Sequence, residues 1–150
     1  MRRNHRGSLG LALLTVTLVL VTPLAHAQLV SRSYLFKPGV ILETALMSEG
    51  GLRLDSVYFE LPMKDGGRLH ATDQPVTALV AVSNTTGGSL KAGLAIALFD
   101  DEGRLVAAAS GGSKLGWIKS GRQQSFSFVF DGVYAEAHKA TTFQISLESK

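Results

Sequence analysis

His70 and His138 are the two histidines left once residues 1–27 are set aside, and Asp100-Asp101-Glu102 gathers three carboxylates in a row. Imidazole suits proton transfer near neutral pH, and adjacent carboxylates offer the oxygens that a hard cation prefers. Neither pattern goes further. The histidines stand far apart with no partner near either in sequence, and no G-x-S-x-G elbow announces a nucleophile. Asp100, Asp101 and Glu102 lack the alternating ligands and closing glutamate of a calcium loop, so they are weak metal candidates and read as a solvated turn. The chain holds 0 Cys, which excludes thiolate zinc sites, cysteine nucleophiles and disulfides. These residues predict no catalytic site and no cofactor.

Other residues suit contact rather than chemistry. Trp117, the single tryptophan, sits beside Gly116 in a loop-like stretch ending at Lys119-Ser120-Gly121. It either plugs one end of the core, the preferred reading, or anchors a partner together with Tyr58 or Tyr134. Ala92, Gly93, Ala95, Ala97, Ala107, Ala108 and Ala109 put methyl-sized side chains on the outer sides of two neighbouring segments, making that hairpin apolar on both faces. Left bare, such a face invites association. We expect residues 28–51 to cover it, the alternative being another chain. The partner-binding candidates are therefore Trp117, Ala95, Ala97, Ala107 and Ala109. Asn84-Thr85-Thr86 fits the glycosylation sequon but reads as turn chemistry.

The elements that must carry these residues are strands. Val57 to Leu61, Phe126 to Phe130 and Phe143 to Leu147 alternate apolar and polar side chains, the period of a half-buried strand. Val76 to Ser83, Leu94 to Phe99 and Arg104 to Ala109 are apolar and bounded by turn residues. Asn84 to Gly88 and Asp100 to Gly103 read as hairpin loops, because Asn, Asp and Gly tolerate the left-handed backbone. Asp65-Gly66-Gly67 and Gly111-Gly112 supply further turns, and Val133 to Ala140 suits a turn or two of helix or a loop. Six to seven short strands predict an all-β antiparallel sandwich spanning residues 52–150. Val40-Ile41-Leu42 and Ala45-Leu46-Met47 carry too much apolar surface for a linker. Residues 28–51 should thus pack on the sandwich, an added strand bracketed by Pro38-Gly39 and Gly50-Gly51 being one form of that packing.

Residues 1–27 have the layout of a cleaved signal helix: Arg2, Arg3 and Arg6, then an apolar run from Leu9 to Val21, then Ala25-His26-Ala27 before Gln28. An uncleaved anchor is the rival, disfavoured by the short run and by Pro23. Removing this segment takes away three of the 15 Lys and Arg and none of the 12 Asp and Glu, leaving 123 residues with no net charge. The formal charge of +3 is therefore no argument for nucleic acid. A periplasmic or secreted location follows, with no stable membrane span after cleavage.

From Ala78 to Leu147 the order of features resembles an FxLYD-type domain. The match runs through Val80-Ala81-Val82-Ser83-Asn84, then Ala97-Leu98-Phe99-Asp100 with Gly103 closing the turn, then Leu115 to Gly121 leading into Phe126 to Phe130. Phe99 stands where that family usually has tyrosine, and Ala97 where it has the leading aromatic. The resemblance implies an immunoglobulin-like β-sandwich used as an interaction or accessory module of exported proteins, without catalytic residues. The expected function is an exported, non-catalytic binding or accessory module whose partner is a protein or an envelope component. The alternatives are a small sandwich-fold hydrolase or metal-dependent enzyme, which needs His70, His138 and acidic residues in one pocket, and a carbohydrate-binding module, which needs a planar row of exposed aromatics.

Overall fold

The computed structural model of the chain describes residues 29–61, 75–113, 116–131 and 133–150. Along them run β1 (Leu29–Leu35), β2 (Ile41–Glu43), β3 (Leu52–Glu60), β4 (Val76–Asn84), β5 (Ala92–Phe99), β6 (Leu105–Gly112), β7 (Gln123–Phe130), α1 (Tyr134–Ala137) and β8 (Thr142–Ser149). The strands make two four-stranded sheets, ordered β1-β8-β5-β6 and β2-β3-β4-β7. Every pairing is antiparallel. The described residues are all-β in two layers, in keeping with a β-sandwich; residues 52–150 supply six strands, as expected, and β1 and β2 bring the described total to eight. Among the described residues no helix is long and apolar enough to cross a membrane. The proposed signal segment, Gln28, Asp65-Gly66-Gly67, His70 and Leu115 lie outside the described residues.

Period-two alternation decides which side chains meet. Leu94, Ile96 and Leu98 of β5 and Phe143, Ile145 and Leu147 of β8 point inward. From the other sheet Val76, Val80 and Val82 of β4 and Phe128 and Phe130 of β7 join them in one core. Aromatic rings lock the two sheets at one end: Phe59 of β3 meets Phe143 of β8 and Phe36 edge-on, each with ring centroids 4.8 Å apart. Each such fully buried ring stabilises the fold by about 2–3 kcal/mol through the apolar area it removes from water.

Two elements depart from the expectation. The N-terminal segment packs on the sandwich as added strands but does not cover the Ala-rich face: β1 extends the β8 sheet and β2 extends the β3 sheet, an edge strand to each. The turn Asn84 to Gly88 does not close a hairpin, because β4 and β5 belong to different sheets and the turn carries the chain between layers. Asp100 to Gly103 does join two paired strands, β5 and β6. The helical turn expected within Val133 to Ala140 is present as the single turn α1.

Candidate functional site

The outward residues of the β8 sheet are small. Gly93, Ala95 and Ala97 alternate with the buried side of β5, and the register pairs Ala95 with Ser110 and Ala97 with Ala108 across β6. Gln144 and Ser146 of β8 flank them. Ala95, Ala97, Ala108, Ser110, Gln144 and Ser146 line an open groove of about 250 Å³. Ala92, Ala107 and Ala109 are corrections to the expected face. Their registers, Ala107 opposite Leu98 and Ala109 opposite Ile96, turn both β6 residues inward, and Ala92 and Ala107 belong to the core. The outer face therefore keeps Ala95, Ala97 and Ala108, and no element among the described residues lies over it.

Trp117 borders this sheet and does not plug the core. An isolated bridge pairs Ile118 with Leu90. Alternation through that bridge sends Ile118 inward at 2 % exposure and leaves Trp117 57 % exposed. Lys91, between the buried Leu90 and Ala92, reaches outward and places its ammonium 5.0 Å from the Trp117 ring centroid. This geometry is a cation–π contact, worth about 0.5–1 kcal/mol at an exposed site.

The acidic triplet is occupied by its own turn. Asp100 Oδ1 accepts the backbone N–H of Glu102 at 3.0 Å and of Arg104 at 2.8 Å, while Oδ2 accepts Arg104 Nε at 2.8 Å. Glu102 pairs with the same guanidinium at 2.8 Å, and Asp101 points to solvent. Hydrogen bonds from Arg104, side chain first, hold the Asp100 carboxyl below the usual carboxylate range. Arg104, rather than a cation site, thus gathers Asp100 and Glu102. Among the described residues no three metal-ligating side chains converge. His138 is exposed at the end of α1.

Asn84 is only 1 % exposed. Its Nδ2 donates to the carbonyls of Gly88 at 2.7 Å and Ile118 at 2.8 Å, and its Oδ1 accepts the N–H of Thr86 at 2.8 Å. The sequon nitrogen is therefore spent inside the fold, where its bonds hold the crossover turn against the Trp117 stretch.

Two features escaped sequence reasoning. Asp55 is the extra residue of a β-bulge between Leu54 and Ser56, and its carboxylate collects Ser83 Oγ at 2.5 Å, Arg53 Nε at 2.7 Å and Gln123 Nε2 at 3.0 Å. Burial alone would raise this carboxyl, but the hydrogen bonds from Ser83, Gln123 and Arg53 outweigh it and hold the group below its ordinary value. The second is a cleft of about 290 Å³ between the edge strands β1 and β2, lined by Tyr34, Leu42, Phe59 and Phe143 among others. Its only sequence signal was the apolar run Val40-Ile41-Leu42.

Compared with known proteins, the sequence matches no family model and no curated relative.

Proposed function

We propose that this chain is an exported, non-catalytic binding or accessory module, periplasmic or secreted, that contacts a protein or envelope component through the outer face of the β8 sheet. The observation that carries this reading is Trp117, an amphipathic ring left 57 % exposed against Lys91, just before the strand β5 whose outward Ala95 and Ala97 line the open groove. Exposed tryptophan is costly to leave in water and is enriched at binding hot spots. The FxLYD-type, immunoglobulin-like part of the proposal is architectural. Antiparallel layers with sheet-changing connections support it, although the order β1-β8-β5-β6 and β2-β3-β4-β7 differs from the ABED and CFG sheets of an antibody constant domain.

The rival readings find less support. Among the side chains described, Trp117 is the one exposed aromatic, so no planar aromatic row for sugar stacking forms there. His138 faces solvent, without a bonded carboxylate or hydroxyl among the described residues to activate it.

Co-purification from the native cell envelope tests the proposal. A component retained by the wild-type chain should be lost with Trp117→Ala and with Ala97→Arg, both at outward positions, while circular dichroism stays unchanged. Equal retention by all three chains contradicts it.

A further inference from the structure

We propose that the cleft between β1 and β2 binds a single acyl chain ending in a carboxylate, with Lys37 pairing the head group. The cleft opens where the edges of the two sheets face each other, and core residues Val57, Phe59 and Phe143 form part of its lining. Around the opening Leu35, Val40 and Ile41 stand 64 %, 56 % and 64 % exposed. Large apolar side chains left in water around one concavity are the signature of an apolar occupant, because its burial stabilises by about 25 cal/mol for each Å² removed from solvent.

Polar groups at the cleft select the class of occupant. The Tyr34 hydroxyl is engaged with Thr44 Oγ1 at 2.7 Å, and the other lining side chains apart from Lys37 are aliphatic or aromatic. The free edges of β1 and β2 make an extended peptide the competing occupant, and it is the unpaired Lys37 cation beside a wholly apolar remainder that favours an alkyl chain with an anionic head. Lys37 is the one charged residue of the lining, is exposed, and makes no ion pair among the described residues. One cation matches one negative charge, which favours a carboxylate over a dianionic phosphate. A volume of about 290 Å³ lies at the lower end of small-molecule sites, so the cleft takes one chain of medium length and not a two-chain lipid.

Isothermal titration of the protein as the cell makes it, with decanoate and with decyltrimethylammonium below their micelle concentrations, tests the assignment. Decanoate should bind saturably at one site, and the cationic analogue about five-fold more weakly, the scale of one rim ion pair. Lys37→Glu should reverse that order, and Ile41→Asp, at an exposed position, should weaken both ligands with the fold intact by circular dichroism. Trp117→Ala should leave decanoate binding unchanged, which separates this site from the surface proposed above. No saturable binding, equal affinity for the two head groups, an unaltered preference in Lys37→Glu, or equal competition by a capped valine-leucine tripeptide would each overturn the proposal.

Discussion

Single polar side chains do much of the positioning in this chain. Asn84 bonds the crossover turn at Gly88 and Thr86 and ties it to Ile118, whose neighbour is Trp117. Truncation to alanine leaves two carbonyls short of a donor, so Asn84→Ala should lower the unfolding free energy in urea by about 2–3 kcal/mol. A loss under about 0.5 kcal/mol would show that the turn stands without it. Asp55 and Asp100 set the response to acid. Both carboxyls are held below their ordinary values in the fold, so the unfolded chain takes up protons first as pH falls. Their contribution is complete above the unfolded value and is lost as pH falls through the folded one. The thermal midpoint should therefore drop below about pH 4. Asp55→Asn combined with Asp100→Asn should flatten that limb of the melting curve, and an unchanged acid limb would contradict the assignment.

At the level of elements, the close approach of β6 to β5 turns on Gly112. Its φ of 149° is rare for a residue with a side chain, and a Cβ there would collide with the Ala92 carbonyl oxygen. Gly112→Ala should cost about 2 kcal/mol or more, whereas Gly87→Ala, in open space, should be nearly neutral in the same denaturation assay. Strands with uninterrupted alternation, such as β8 with Phe143, Ile145 and Leu147, were legible in the sequence. β3 was legible only from Val57, because the bulge at Asp55 throws Leu52 and Leu54 out of phase with Val57 and Phe59. β1 was hidden by Ser31-Arg32-Ser33, an edge strand that buries little beyond Val30 and Tyr34. Turn chemistry at Asn84 to Gly88 marked a reversal without saying whether the chain returned to the same sheet. The inward turn of Ala107 and Ala109 was likewise invisible, since alanine suits either face and only the register with β5 decides.

Across the whole molecule, the first strands complete the layers instead of covering a face, and Phe36, just after β1, seals the aromatic end of the core against Phe59. Phe36→Ala should cost about 3 kcal/mol by opening a cavity beside Phe59, read from the urea midpoint, and a shift near zero would mean that this edge is not integral to the fold. Because β1 and β2 sit at the margins, the outer face of the β8 sheet stays open at the Ala95 groove, and Trp117 stands exposed against Lys91 just before β5. That open face is the basis of the functional proposal. The chain has 1 Trp, so incorporating 5-fluorotryptophan puts a single fluorine probe at the edge of this face. The ¹⁹F resonance should be solvent-exposed in the isolated protein and should shift or broaden when native envelope extract is added. A line that is solvent-shielded from the start, or that stays unmoved by the extract, would contradict a binding role for this face.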